Sequence, residues 1–459
     1  MKSLVIVILA VLSLVFTGCT TQPLNSNSVT TNPTPSPAVS QPTEPSGSSI
    51  VTLPVLDALL SDDTFVKDLR SQLNLNDAQI GALKQAANEE IAHLRETNAE
   101  DSGGDGAEAR DRALSKIKSI VGDEKTNQLM SFAANYWATG GEASTAGAKN
   151  ERAPQANAVP TDTRVVVNIP AFRMDLFENG SIVKSYKIGI GYPQFPLPQG
   201  LRKAQTIIFN PTWTPPDSPW VAKMKDVSPG QKIEAGSKLN PLGPIKIPIG
   251  MPSLIHGGKS PKKLGEFASH GCVGLTTPQV KDFAKLLAEA SGTKITQDVI
   301  DSYLRDPAKT RTVKLDQAVP VELRYETIVV EDGKLHIYKD VYDQDTNTEE
   351  NLRKVLEANG ARLEDLSADE KAQVLDALNT MSAHPTAKPS PAATSGNTND
   401  KKSAKGKRAK QAKPPKELVI EVAALKGKGY PAAVNLDTGT GKMSSAAVEP
   451  VDRKWVRVS

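Results

Sequence analysis

The stretch HGGKSPKKLGEFASHGCVG, residues 256–274, carries the most distinctive chemistry of the chain. It begins at His256 and leads to Ser269-His270-Gly271-Cys272. A lone thiol beside histidine and glycine is the arrangement expected of a nucleophile, because only the thiolate attacks and a nearby imidazole can take the thiol proton. Gly271 carries no Cβ and would let backbone N–H groups turn toward a developing oxyanion. Gly257, after His256, would keep the site open to a bulky substrate.

Each of these residues also has a plainer interpretation. A lone cysteine is usually a small buried hydrophobe, both histidines could be satisfied core residues, and Ser269 could be a simple turn residue. A zinc site is the other structured alternative, but it needs more ligands than one cysteine and two histidines usually supply. The clustering of all these residues within one short window favours a catalytic site over these alternatives. No metal and no cofactor is expected.

The second cysteine, Cys19, closes an apolar segment at the N-terminus. Lys2 precedes an almost unbroken apolar run from Leu4 to Phe16, as in an export signal. Gly18-Cys19 resembles the lipobox of bacterial lipoproteins, although Phe16 replaces the usual leucine; the alternative is a secretory signal with an incidental cysteine. We expect Cys19 to be lipidated and to anchor the protein to a membrane. The expected location is periplasmic, at the cell envelope, and at the outer membrane if the organism has two membranes.

Composition divides the chain into several segments. Its 459 residues suggest about three domains, and its 33 prolines and 32 glycines cluster in a few stretches. The net charge of +3 gives no signal for a nucleic-acid partner. We predict a lipoprotein signal peptide at 1–19, a Ser/Thr/Pro tether at 20–50, a small helical domain at 51–137, a linker at 138–160, a β-rich domain at 161–345, a helical segment at 346–383, a basic low-complexity linker at 384–417 and a small C-terminal β segment at 418–459.

Apolar periodicity gives the fold class. Residues 54–137 repeat apolar side chains at helical spacing, whereas residues from 163 onward alternate with period two. Glu178-Asn179-Gly180 predicts a hairpin turn, and residues 186–190 predict a separate strand after it. Thr276-Thr277-Pro278 predicts the start of a single helix after the cysteine. The chain is therefore predicted to be α+β, with a mixed, β-sandwich-like sheet domain, a helical domain and disordered linkers.

The sequence resembles a known family, the L,D-transpeptidases of YkuD type. The resemblance rests on His256 and on Ser269-His270-Gly271-Cys272 followed by Val273. It extends over about 180 residues, because further segments look like parts of that domain: 169–191, 196–200, 210–216, 240–243 and 332–342. The resemblance implies that residues 161–345 form an L,D-transpeptidase catalytic domain.

The resemblance also implies a reaction on peptidoglycan stem peptides. Cys272 would attack the carbonyl of the third residue and expel the terminal D-alanine, with His256 as general base and His270 as the lesser option. The acyl group would pass to an amine of another stem, giving a 3→3 crosslink, or to a lysine of an envelope lipoprotein. Ser269 or a backbone carbonyl would orient His256. The amides of His270, Gly271 and Cys272 would form the oxyanion hole.

Two positions concern the substrate. Many family members carry Asn or Arg where this chain has Gly274, so a substrate contact is expected to be lost and acceptor choice altered. Trp213, in a proline-rich loop, is either a wall of the stem-peptide groove or a packing residue.

Three functions stay open from the sequence: a transpeptidase, an L,D-carboxypeptidase or endopeptidase that uses water as acceptor, and a non-catalytic wall-binding lipoprotein. The intact Cys–His pair argues against the third.

Overall fold

The computed structural model describes residues 50–97, 106–141, 156–216, 221, 224–382 and 415–440. Cys19, with the predicted signal peptide and nearly all of the tether, lies outside the described residues. So do most of the two predicted linkers and all of the chain after residue 440. The predicted segment boundaries stay predictions. No helix of the described ranges is both long and apolar enough to span a bilayer.

The N-terminal part of the described chain is a helical module. Its helices are α1 Leu53–Leu60, α2 Asp63–Gln72, α3 Asp77–Thr97, α4 Gly106–Val121 and α5 Asp123–Thr139. They surround an apolar core of their own.

Local signals explain where these helices begin. Asn76 and Gln79 each accept a hydrogen bond from the other's backbone N–H, at 2.9 and 3.1 Å, and so cap the start of α3. Gly122 has a φ of +82° and separates α4 from α5. Few other residues adopt this φ, so glycine at this position allows α4 to end and α5 to begin.

A mixed sheet of eight strands forms the centre of the molecule. The first ten strands of the chain are β1 Arg164–Asn168, β2 Arg173–Glu178, β3 Ser181–Lys187, β4 Ile190–Gly191, β5 Gly200–Phe209, β6 Ile245–Pro248, β7 Leu254–His256, β8 Phe267–Ser269, β9 Val273–Gly274 and β10 Arg311–Arg324. The order of strands in the large sheet is β3-β2-β1-β10-β5-β6-β7-β9. Strands β4 and β8 pair with each other as a separate ribbon. Strand β7, which ends at His256, and strand β9, which follows Cys272, are parallel neighbours at one end of the large sheet.

Helix α6, Thr277–Ala290, packs on this sheet as predicted. Thr276 and Gln279 form a capping box, and Pro278 lies in the first turn. Val280, Phe283 and Leu287 are fully buried in the sheet's core. The tight packing of α6 holds the backbone on both sides of the cysteine motif.

Two sequence predictions about this region are wrong. A second helix, α7 Gln297–Arg305, follows α6; it is short, and only Ile300 in it is completely buried. The predicted strand at 186–190 is also split between β3 and β4. Gly189 causes the break, because its N–H and C=O both pair with Gly274 at 2.9 Å and draw the chain away from β2.

A third core lies at the C-terminal end of the described chain. Strands β11 Ile328–Glu331, β12 Lys334–Tyr338 and β13 Glu417–Glu421 form a three-stranded antiparallel sheet. Helices α8 Glu349–Ala358 and α9 Ala368–Met381 pack against it. The fold is thus α+β, as predicted, with a helical module before the central sheet.

Candidate active site

Cys272 lies in a tight turn between β8 and β9. Ser269 Oγ closes this turn, since it accepts a hydrogen bond from the Cys272 N–H at 3.1 Å and donates one to the Cys272 carbonyl oxygen. Gly271 has a φ of +93°, in the left-handed region that side chains disfavour. The Ser-His-Gly run therefore fixes the backbone that presents the thiol.

Strand register brings His256 to the same face as the thiol. In the parallel pair β7–β9, Ile255 lies opposite Val273 and His256 lies opposite Gly274. Cys272, one residue earlier, is next to Leu254, whose backbone hydrogen-bonds the thiol. Side chains two residues apart on a strand share a face, so His256 and Cys272 project to the same side of the sheet. The structure thus brings together the two residues that the motif predicts as base and nucleophile.

A backbone carbonyl orients the imidazole. His256 Nδ1 is 2.8 Å from the carbonyl oxygen of Gly257. A carbonyl only accepts, so Nδ1 carries the proton and Nε2 keeps a lone pair. Of the two predicted orienting groups, the carbonyl hydrogen-bonds the imidazole, whereas the Ser269 hydroxyl hydrogen-bonds the backbone of Cys272.

Burial keeps both reacting groups neutral at rest. It lowers the pKa of His256 to about 3, and the charge of Lys259 lowers this pKa further. Burial also raises the pKa of the Cys272 thiol, against the opposing effects of the Leu254 hydrogen bond and of the nearby positive charges. Near neutral pH the pair is thus a thiol and a neutral imidazole, so the thiol proton must move to Nε2 as the sulfur attacks.

The predicted oxyanion hole is altered by the turn itself. The Cys272 N–H donates to Ser269 Oγ and is engaged within the motif. The His270 ring packs edge-on against Phe195, with centroids 4.7 Å apart, and lies 5.4 Å from the Tyr192 ring. The ring of His270 is thus part of an aromatic cluster, and the predicted oxyanion contact of the His270 and Gly271 amides stays a prediction.

Gly257 does not open the site to substrate as predicted. A Cβ at this buried residue would lie 2.6 Å from Val280 Cγ1. The glycine is therefore required because α6 packs directly against the backbone beside His256.

Trp213 and Gly274, the two other residues predicted to contact substrate, are both buried by packing. Trp213 is 8% exposed and packs with Val221, Ile233 and Leu242, which favours the packing interpretation. Gly274 is buried in β9, and a Cβ there would lie 2.8 Å from Lys259 Cγ. A lysine side chain therefore lies where other family members would carry Asn or Arg.

Sequence reasoning missed three cations around the thiol: Lys246, Lys259 and Arg202. The charge of each one favours the Cys272 thiolate. Lys259 lies within the motif window, so its proximity to Cys272 could have been suspected. Lys246 and Arg202 come from β6 and β5, and only the strand pairing places them here.

Arg202 also joins the site to the helical module. Its side chain is 2% exposed and donates to the carbonyls of Trp137 and Gly250, the latter at 3.0 Å. The guanidinium lies over the Trp137 ring, 5.4 Å from the centroid. Trp137 Cη2 in turn lies 3.9 Å from where a Cβ on Gly271 would be. The end of α5 therefore forms part of the wall beside the catalytic turn. In the described ranges, no three His, Cys, Asp or Glu side chains cluster in a way that could hold a metal ion.

Comparison with known proteins identifies the central domain. Residues 162–300 match the model of the L,D-transpeptidase catalytic domain, YkuD. No match was found among curated proteins.

Solved structures similar to this chain are L,D-transpeptidases. The catalytic domain of the Enterococcus faecium enzyme is 15% identical and covers 36% of this chain and 100% of its own, with a TM-score of 0.24. The Mycobacterium smegmatis enzyme is 16% identical over 36% of this chain and 58% of its own, with a TM-score of 0.21. L,D-transpeptidase 3 of Mycobacterium tuberculosis, with a faropenem-derived adduct, is 13% identical over 35% and 60%, with a TM-score of 0.21.

This chain spans about half of one such structure, 49% of an avibactam carbamoyl enzyme. The match of the family model includes β7, β9 and α6, and so contains both His256 and Cys272. Residues 162–300 of this chain thus match the L,D-transpeptidase catalytic domain of YkuD type.

Proposed function

We propose that this domain is a peptidoglycan L,D-transpeptidase that works through an acyl-enzyme on Cys272. The donor is a stem tetrapeptide, the leaving group is D-alanine, and the acceptor is an amine of another stem or of an envelope protein. The observation that carries the proposal is the shared face of Cys272 and His256, with Nδ1 held by Gly257 and Nε2 keeping its lone pair.

The reaction follows from these two neutral groups. Cys272 Sγ attacks the carbonyl carbon of the third residue while its proton moves to His256 Nε2. The oxyanion faces the amide of Gly271. When the C–N bond breaks, Nε2 returns the proton to the leaving amine. An acceptor amine then attacks the thioester, loses a proton to Nε2 and releases Sγ as thiol.

Product analysis tests this function. The purified protein is incubated with a stem tetrapeptide and with an amine-bearing stem as acceptor, and the products are identified by mass spectrometry. We expect D-alanine together with a crosslinked dimer whose new bond joins the third residue of the donor to the acceptor amine. Cys272→Ala serves as the control and should give neither product. Free tripeptide without dimer would instead identify a carboxypeptidase that uses water, and the absence of both products would reject the proposed function.

We also propose that the protein is anchored to a membrane by acyl chains on Cys19, at the cell envelope. Support comes from the apolar run that ends at Gly18-Cys19. Metabolic labelling with palmitate should mark the wild-type protein and not Cys19→Ala. Equal labelling of the two proteins would reject the anchor.

A further inference from the structure

Three residues form a row across the strands that carry the site. In the antiparallel pair β6–β7, Lys246 lies opposite His256, and in the parallel pair β7–β9, His256 lies opposite Gly274. Directly opposed residues in a sheet project to the same face. The imidazole is therefore flanked by a lysine on one side and by a position without a side chain on the other.

The side chain of Lys259 occupies the space beside Gly274, where a side chain of residue 274 would otherwise lie. A Cβ on Gly274 would lie 2.8 Å from Lys259 Cγ and 3.0 Å from Lys259 Cε, so the lysine stem crosses β9 directly above this glycine. The Lys259 backbone is itself fixed, since its N–H donates to the Leu275 carbonyl at 3.0 Å. The row is thus completed as lysine, histidine, lysine, and the second lysine can lie there only because residue 274 is glycine.

Neither amine is neutralised by the protein. In the part of the chain that the structure describes, no carboxylate lies within 4.0 Å of Lys246 or Lys259, and no hydrogen bond engages either amine. Both side chains are half-buried. Burial lowers the pKa of each lysine, and the only opposing contribution in both cases is the charge of the Cys272 thiolate. Two positive charges are thus held beside the site without a counter-charge, and an anion placed between them would be stabilised.

The chemistry of the reaction says which anion can reach them. His256 Nε2 must meet the nitrogen of the leaving residue in order to protonate it. The α-carboxyl carbon of that residue is two covalent bonds away from this nitrogen, at about 2.5 Å. A carboxylate so close to the imidazole lies over the row, where a lysine approaches from either side. No other carboxylate of the donor is tied so closely to the leaving nitrogen.

We propose that Lys246 and Lys259 bind the α-carboxylate of the residue that leaves the donor peptide. This subsite rests on the proposed transpeptidase function and adds a specificity to it. The enzyme discriminates against donors in which the carboxyl group of this residue is amidated. Gly274 serves this selection by making room for Lys259.

The test compares two donors that differ only in this charge. One is the stem tetrapeptide with a free C-terminal carboxylate, and the other is the same peptide with a C-terminal amide. The kcat/KM for acylation is measured for both with wild-type protein, Lys259→Gln, Lys259→Arg and Lys246→Gln. Lys262→Gln is the matched control, because Lys262 is an exposed residue of the same loop and its removal changes the net charge equally.

We expect wild-type protein to prefer the free acid by about tenfold or more, which is the size of a charge-assisted hydrogen bond lost to the amide. Lys259→Gln and Lys246→Gln should each lose most of this preference, which is the ratio of the two rates within one variant, so that a changed reactivity of the Cys272 thiol affects both donors equally and cancels. Lys259→Arg and Lys262→Gln should keep it. Equal rates with the two donors in wild-type protein, or an undiminished preference in both glutamine variants, would overturn the proposal while leaving the transpeptidase function intact.

A second measurement separates this subsite from the reaction itself. Cys272 is alkylated with iodoacetate, which carries a carboxylate, and with neutral iodoacetamide. The ratio of the two rates should fall several-fold in Lys259→Gln and not in Lys262→Gln. If wild-type protein is acylated by neither donor, the proposed function fails; a lower ratio in Lys259→Gln would still establish carboxylate binding beside the thiol. An unchanged ratio would then reject the subsite too.

Discussion

Gly271 shows how a single backbone conformation presents the nucleophile. Its φ of +93° belongs to the region where a Cβ clashes with the backbone, although the surrounding space is open: the nearest atoms to a built Cβ are 3.9 Å away. An alanine would thus fit the space but not the conformation. The turn would change shape to relieve the strain, and the hydrogen bonds between Ser269 and Cys272 would be lost or lengthened.

Gly271→Ala should therefore lower acylation strongly and stability only modestly. We expect a loss of about 1–2 kcal/mol in the free energy of unfolding, and a decrease of at least about tenfold in kcat/KM. Gly292→Ala is the control, because Gly292 has a φ of +82° with nothing near its Cβ position and lies at the end of α6. It should lose similar stability and no activity. Equal kcat/KM for Gly271→Ala and wild-type protein would show that this turn does not position the thiol.

His256 makes acid stability a test of its buried, neutral state. Its pKa is lowered to about 3 in the folded protein, whereas an unfolded histidine titrates near 6.5. Between these two values the unfolded chain binds the extra proton, so stability falls as the pH falls below about 6.5. The contribution is absent above this pH.

Urea unfolding at pH 7 and pH 5 measures this effect. From pH 7 to pH 5, this histidine should cost wild-type protein about 2 kcal/mol of unfolding free energy, since each pH unit below 6.5 costs about 1.4 kcal/mol. His256→Gln cannot titrate and should lack that part of the loss. Identical losses in the two proteins would mean that His256 has the same pKa in the folded and the unfolded chain, and the lowered pKa attributed to its burial would be withdrawn.

At the scale of elements, α5 and β5 are joined by one buried arginine. Arg202 donates to Trp137 from the catalytic sheet, and Gly140 lies close enough to Gly250 that a Cβ on it would be 2.8 Å from the Gly250 Cα. A guanidinium remains protonated in proteins, so the carbonyls around Arg202 satisfy a buried positive charge. This contact makes the helical module part of the active-site wall.

Arg202→Met should uncouple the helical module from the sheet. The substitution leaves buried carbonyls without a donor, which costs on the order of 3 kcal/mol. In calorimetry we expect wild-type protein to unfold the module and the sheet together, and Arg202→Met to show an earlier transition for the module. Arg112→Met is the control, since Arg112 also bridges from the helical module, with its Nη2 3.4 Å from Oε1 of Gln194 in the loop between β4 and β5, but is partly exposed. An unsplit, unshifted transition in Arg202→Met would contradict the coupling.

The elements that sequence predicted correctly are those decided by neighbours in the chain. The helix predicted from Thr276-Thr277-Pro278 begins at Thr277, and Asn179-Gly180 forms the predicted turn between β2 and β3. Each signal lies within three consecutive residues, so it is fully contained in a short window. The motif at Cys272 was recognisable for the same reason.

What could not be predicted depends on pairing between distant segments. Strand β13 joins β12 across some 80 residues, and Lys246 reaches His256 only through the pairing of β6 with β7. Gly257 was assigned to the substrate because nothing in the window shows that Val280 packs on it. The residue types of the site were thus predictable, whereas the charge around it was not.

At the scale of the whole molecule, separate cores meet around a single reactive sulfur. The helical module and the central sheet have their own buried apolar clusters, and Trp137 Cη2 of the first lies 3.9 Å from where a Cβ on Gly271 in the second would be. A third apolar cluster is formed by α8 and α9 together with the three-stranded sheet. The rigidity of the site comes from packing on both sides of the catalytic turn, which keeps thiol and imidazole on one face.

The most direct measurement is the mass of the protein itself during the reaction. Wild-type protein is mixed with the stem tetrapeptide without acceptor, quenched with acid at short times and analysed by intact mass and peptide mapping. The account predicts an adduct equal to the donor minus its leaving residue, located on Cys272, and no adduct on Cys272→Ala. An adduct on another residue, or donor turnover by Cys272→Ala, would contradict the assignment of Cys272 as the nucleophile.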